Sequence, residues 1–400
     1  MKYMGSKRVM LQNGLGEVLR SQAAGASRVV DLFCGSASVS WFAACEMGKR
    51  VLAVDLQAYA AVLAEAVVGR VYPLDPGDLR IGWLKAAQRL RLRRRNWKAA
   101  HKLDSAGCST ATWVGRARTL CSGVGDRGFV FSAYGGHYFS PTQAMTLDCM
   151  LSCLPATAPE RTVCLAATII AASQCAAAPG HTAQPFQPTR TAGRFLREAW
   201  GRDPLRYASR ALTAVCPLHG KIAGEAIIGD AVGVASRLNG SDLVFVDPPY
   251  SGVHYSRFYH VLESIARGRC GRVFGTGRYS APSERPASAF SRKTESLRAV
   301  ENLLERLAGV GSTVIFTFPA GECSNGLSGS KVIKTARQWF SIDKKMLTSR
   351  FSTLGGKNDG RGARHASREL ILVMQPVNRA SHRSGLPLND GGRSRAGRRK

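Results

Sequence analysis

Two short apolar runs, Arg28-Val-Val-Asp-Leu-Phe33 and Val51-Leu-Ala-Val-Asp55, enclose a Gly-containing turn and a helical stretch over residues 38–47, and each run reaches an aspartate. Strand, turn, helix, strand and terminal Asp make one half of a doubly wound sheet, in which a ligand sits at the carboxyl ends of the strands. The pattern is then lost and resumes at Ala226-Ile-Ile-Gly-Asp230 and Leu243-Val-Phe-Val-Asp247. Further strands are predicted over residues 312–318, 338–342 and 368–374, with a helix over 297–307. The fold class expected is α/β: a doubly wound, mostly parallel, seven-stranded sheet interrupted by a largely helical insertion. Residues 1–60 and 221–376 form the two parts of the main domain, 61–220 the inserted region, and 377–400 a Gly/Ser/Arg-rich basic tail that cannot bury a core.

Composition narrows the partner. The 400 residues carry 56 Lys and Arg against 27 Asp and Glu, a formal charge of +29, which attracts polyanions, while 44% hydrophobic residues rule out a wholly disordered basic chain. The 11 cysteines include no CxxC pair, which points to reduced thiols. Cys149, Cys153, Cys164 and His181 match no zinc spacing, so no metal is expected. The first seven residues are polar and basic and run into Leu11-Gln-Asn-Gly14, not an apolar leader. The most apolar stretch, residues 163–178, contains Thr168, Ser173 and Gln174 and reads as a buried helix, not a membrane span. A cytoplasmic monomer with no membrane partner is expected.

The most specific chemical signal is Asp247-Pro248-Pro249-Tyr250, placed directly after a buried strand. A Pro-Pro turn at a strand end explains the prolines but not the flanking Asp and Tyr. An exocyclic nucleobase amine is a poor nucleophile because its lone pair is delocalised into the ring. A carboxylate and a carbonyl held side by side accept both amine hydrogens, localise that lone pair and take up developing positive charge. Pro249 stiffens the turn that aims the Pro248 carbonyl, and Tyr250 offers a face for stacking. The second constellation is Asp31-Leu-Phe-Cys-Gly-Ser-Ala37, where Gly35 permits close backbone approach at a strand-to-helix turn. With Asp55 it outlines a pocket in which one carboxylate binds a ribose diol and another an ammonium group. Helix capping is the alternative role for Asp31 and Asp55.

Lys2-Tyr-Met-Gly-Ser-Lys7, Asp31-Leu-Phe-Cys-Gly-Ser-Ala37 and Asp247-Pro-Pro-Tyr250, in this order, resemble the motifs of the Dam-like (D12) class of N6-adenine-specific DNA methyltransferases in their alpha arrangement. The resemblance implies a Rossmann-like methyltransferase fold, S-adenosyl-L-methionine as cofactor, and double-stranded DNA as partner. It also leaves room for a cognate restriction endonuclease. Position by position, it assigns Tyr3 and Lys7 to the cofactor edge, Asp31, Phe33 and Gly35 to the methionine moiety, Asp55 to the ribose and Asp230 to the adenine amine of the cofactor. Asp247, Pro248, Pro249 and Tyr250 become the catalytic loop, and His254-Tyr-Ser-Arg-Phe-Tyr-His260 the segment lining the cofactor and base pockets. One departure stands out: the family has glycine where this chain has Ala37, which leaves two alternatives, a methyl that crowds the methionine end and a small residue compatible with the strand-to-helix turn.

The insertion contains a basic stretch over residues 83–104 whose Arg89, Arg93, Arg94, Arg95 and Lys98 suit phosphate tracking, with a solvated charged helix as the alternative. Tyr134 and His137, in a Gly-bearing aromatic segment, and residues 181–186 are candidates for stacking on unpaired bases. Two other functions remain open on the sequence: methylation of an RNA base amine, and nucleic-acid binding without catalysis.

Overall fold

In the computed structural model, which describes residues 7–123, 128–352 and 364–377, seven strands form one sheet. They are β1 (Arg28–Asp31), β2 (Val51–Asp55), β3 (Glu225–Ile228), β4 (Asp242–Val246), β5 (Thr313–Pro319), β6 (Phe340–Ser352) and β7 (Arg364–Pro376). Their order is β3-β2-β1-β4-β5-β7-β6. β1 to β5 are parallel, and β7 runs antiparallel to both β5 and β6. The expected α/β fold with a mostly parallel sheet is the fold found. The strand predicted over 338–342 overlaps only the start of β6 from Phe340, that over 368–374 is the largely buried part of β7, and both strands are much longer than expected. Tyr3 and the expected tail beyond Val377 lie outside the described residues.

Side-chain alternation decides which face each strand residue serves. Val29, Val51, Ala53, Leu243, Phe245, Ile315 and Ile371 point into one core, and Val30, Leu52, Val54, Val244, Val246, Phe316 and Leu372 into the other. Burial on both faces is why these strands read as continuous apolar runs. Helices Ala231–Ala235, Ser296–Gly309 and Gly329–Ala336 cover the second face. Helices Gly16–Ala23, Ser38–Cys45 and Ala58–Val68 cover the first, and its core continues into the inserted helices Pro141–Ser152, Glu160–Cys175 and Pro204–Val215.

Helix Ala58–Val68 packs on β2 and β3, and the expected boundary after residue 60 falls inside it. Glu160–Cys175 then packs on this helix, on Pro204–Val215 and on His260–Arg267. The apolar stretch near residue 170 is therefore a buried helix, and no described helix is long and apolar enough to cross a membrane. The basic stretch is not one helix: Lys85–Leu92 and Trp97–Asp104 are separated by a turn at 93–96. Trp83 anchors it by donating from Nε1 to the Met150 carbonyl at 2.9 Å.

Candidate active site

β1 and β4 are sheet neighbours, while the chain leaves β1 toward β2 on one side and β4 toward β5 on the other. A crevice opens at their carboxyl ends for that reason. It is a cleft lined by Lys7, Asp31, Phe33, Gly35, Asp55 and the whole Asp247-to-Tyr250 loop. Ion pairing of Arg28 with Asp242 at 2.8 Å fixes the two strands at their other ends.

The carboxylates on this rim differ in what holds them. Asp31 is 1% exposed; its Oδ2 accepts from the Ser40 hydroxyl at 2.7 Å, while its Oδ1 is buried with no hydrogen-bond partner. Burial first, then the nearby Asp247 and Asp55 charges, pushes its carboxyl up to about 7 against the lowering effect of Ser40. Asp55 accepts from the backbone N–H groups of Gly35 and Gln57, each at 2.9 Å, and burial still pushes it up to about 6. A buried carboxylate oxygen without a donor, beside a second carboxylate fixed by the Gly35 turn, fits the ammonium and diol of an S-adenosyl-L-methionine molecule.

Asp247 is held through one oxygen. Its Oδ1 receives the Lys7 ammonium at 2.9 Å and the Thr317 hydroxyl, from β5, at 2.8 Å. Lys7, 6% exposed, also reaches Glu369 on β7 at 3.5 Å. Burial alone would lower the Lys7 pKa, but the two carboxylates outweigh it and leave it raised. The Glu369 carboxyl is raised by burial, with Lys7 opposing. Lys7 thus lines the cleft, and its ammonium is engaged by the carboxylates. Asn325 donates to the carbonyls of Pro249 and Phe290 at 2.9 and 3.0 Å, which pins the Asp247-to-Tyr250 turn to the segment before helix Ser296–Gly309. Burial first, then the Asp247 charge, raises the Tyr250 pKa, with the neighbouring Tyr255 opposing. Glu263 braces the rim from behind by accepting from the Ala58 and Tyr59 N–H groups at the start of their helix.

Thr317, Asn325, Glu369 and Glu263 were not legible as site residues, although Glu369 carried a signal: an acid inside the apolar run of β7. Ala37 adopts a left-handed φ of 60°, and its side chain is buried in the core on the first sheet face, outside the cleft lining.

Other expected positions are not brought to the cleft. Asp230 is exposed, and its carboxylate caps helix Ala231–Ala235 through the N–H groups of Val232 and Gly233 at 3.0 and 3.1 Å. Tyr134 is fully buried, with its hydroxyl 2.8 Å from Ser264 Oγ, so it belongs to the core and cannot stack on a base here. Its aromatic neighbours Phe131, Tyr138 and Phe139 are buried likewise. His137 is half-buried, and burial with Arg118 and Arg278 pushes it down to about 4, so it is neutral at pH 7. Arg89, Arg93, Arg95 and Lys98 are exposed, and Arg94 is half-buried. Arg91 between them is structural, lying 4.9 Å over the Trp97 ring and 3.8 Å from Asp203.

Residues 3–88 match the D12 class N6 adenine-specific DNA methyltransferase family. A stretch of 67 residues is 37% identical to the modification methylase LlaI of Lactococcus lactis subsp. lactis, covering 16% of this chain and 10% of that protein. The chain thus aligns with about a tenth of this relative's length. The family match takes in Lys7, β1, the Gly35 turn and β2, and ends before Asp247. The likeness first read from short motifs accordingly extends over a continuous segment: from Tyr3 to Gln88 this chain resembles the D12 class N6 adenine-specific DNA methyltransferases.

Proposed function

We propose that the protein transfers the methyl group of S-adenosyl-L-methionine to N6 of an adenine extruded from duplex DNA. The observation that carries this reading is Asp247, whose Oδ1 is fixed by Lys7 and Thr317 while its Oδ2 remains for a ligand, in the same cleft as Asp31 and Asp55. When bound, S-adenosyl-L-methionine supplies an electrophilic methyl group. Asp31 holds the ammonium through Oδ1, and Asp55, oriented by the Gly35 and Gln57 N–H groups, accepts from the ribose hydroxyls. Asp247 Oδ2 and the Pro248 carbonyl accept the two amine hydrogens, which raises electron density on N6, and the Tyr250 ring flanks the base. Positioning and electrostatics do the work, with no covalent enzyme intermediate.

Extrusion of the base costs a few kcal/mol, offset by contacts of basic residues with the backbone. Arg89, Arg93, Arg95 and Lys98 are exposed and available for that role. Incubation with methyl-labelled S-adenosyl-L-methionine and either duplex DNA or structured RNA, followed by digestion to nucleosides, tests the assignment. Labelled N6-methyladenine from DNA supports it; label confined to RNA, or DNA bound but unlabelled, overturns it.

A further inference from the structure

Residues 268–295 connect helices His260–Arg267 and Ser296–Gly309 and lie outside the region expected to contact nucleic acid. Within this connection Phe274 and Tyr279 pair as an isolated antiparallel bridge. The Tyr279 ring sits 4.8 Å from the buried His260 ring, and its hydroxyl donates to the Ala183 carbonyl. A ring held at three points is a rigid platform, and two guanidiniums use it. Arg257, from the short helix Tyr255–Phe258 after the catalytic turn, lies 4.8 Å from the ring centroid, and Arg285 lies 5.6 Å from it.

Neither arginine has an ion-pair partner among the described residues, and Arg285 Nε is buried without a hydrogen-bond acceptor. By contrast, Arg292 is engaged by both oxygens of Glu295, at 2.9 and 3.0 Å. Each unpaired arginine is the chain neighbour of a residue that lines the cleft, Ser256 before Arg257 and Pro286 after Arg285. His254 lines it, and burial, then Arg292, Arg285 and Arg257, lower the His254 pKa. Pro286 and Ser288, beside Arg285, line it as well.

Two cations held at one ring without a counterion among the described residues repel each other, and an anion that contacts both offsets that cost. Planar guanidiniums match phosphate oxygens in pairs. We propose that Arg257 and Arg285, mounted on Tyr279, form a phosphate clamp that grips the DNA backbone beside the nucleotide entering the cleft. The clamp rests on reading the cleft as a site for an extruded adenine. It places a backbone contact at the catalytic rim, separate from the exposed basic residues of the insertion.

The test is the salt dependence of duplex DNA binding, followed by fluorescence anisotropy, for the wild type and the R257Q/R285Q variant, with S-adenosyl-L-methionine binding measured in parallel. Each lost phosphate contact reduces the slope of log K against log salt by about 0.9. The double variant is expected to lose about tenfold less affinity than wild type between roughly 50 and 200 mM salt. R257K/R285K keeps the charges and the wild-type slope, as does R337Q, at an exposed arginine outside the cleft lining. Should R257Q/R285Q unfold, the single variant R257Q, at an exposed position, carries the measurement with half the effect. A wild-type slope in the glutamine variants, or an equal change in R337Q, overturns the clamp. A changed slope with no N6-methyladenine formed by the wild type overturns the proposed activity and leaves the clamp standing. Methylation with an unchanged slope overturns the clamp alone.

Discussion

Replacing Lys7 by methionine removes the only cation that the described structure places between Asp247 and Glu369. The Lys7 ammonium lies 2.9 Å from Asp247 and 3.5 Å from Glu369, and the side chains of the three residues are 6%, 16% and 5% exposed. Removing one partner from a buried ion pair costs about 3–5 kcal/mol, because the other partner stays buried and uncompensated. Here Glu369 has an escape, since a carboxyl already raised by burial takes up a proton when its cation goes. In Lys7→Met the folded-state pKa of Glu369 therefore lies further above its unfolded value. The folded state binds more protons, and stability falls as pH rises through that window. Urea unfolding should show the full deficit of about 3–5 kcal/mol near pH 8 and a smaller one near pH 5.5. Lys7→Met/Glu369→Met, which removes cation and anion together, should cost less than the sum of the two single variants, with a coupling of about 1–3 kcal/mol. Additive costs, or a Lys7→Met deficit below about 1 kcal/mol that does not vary with pH, would refute the reasoning.

Three further outcomes follow from the same geometry. Asp31 must be ionised to hold an ammonium group, so S-adenosyl-L-methionine affinity measured by calorimetry should fall as pH drops below about 7. Asp31→Asn should weaken binding at pH 8 by about 1.5–3 kcal/mol and abolish that pH dependence; a dependence that survives contradicts the assignment. Tyr134→Phe removes a buried hydroxyl that meets Ser264, so it should cost about 1 kcal/mol in thermal unfolding and leave DNA affinity unchanged. Ala37→Gly relieves left-handed strain but loses a buried methyl, two effects of about 1 kcal/mol each, so stability should change little. A Michaelis constant for S-adenosyl-L-methionine that drops severalfold in Ala37→Gly would show that the methyl does obstruct the cleft.

The parts of the site that could be read from the sequence are those whose chemistry sits at a strand end. Asp31, Asp55 and Asp247 each follow an apolar run, and parallel packing of β1, β2 and β4 brings such positions to one edge without further information. Thr317 reaches Asp247, and Glu369 reaches Lys7, only because β5 lies beside β4 and β7 beside β5, an order that no local pattern encodes. The outer part of β6 was missed because Asp343, Lys344 and Lys345 interrupt its apolar run at the edge of the sheet, where side chains meet water. Tyr134 misled for the opposite reason. Aromatics beside glycines suit a stacking loop, but helix Phe129–Tyr134 turns them inward, where Asp148 holds the N–H groups of Val130 and Phe131 at 3.0 and 2.8 Å.

The role proposed for Asp247 in this cleft is to activate the N6 amine of adenine in DNA. Its most direct measurement is mass spectrometry of nucleosides from duplex DNA incubated with S-adenosyl-L-methionine and either wild type or Asp247→Ala, each first shown to bind the cofactor. N6-methyladenine is expected with wild type and none above background with Asp247→Ala. N6-methyladenine formed equally by both proteins, or a different methylated nucleoside from the wild type, would contradict it.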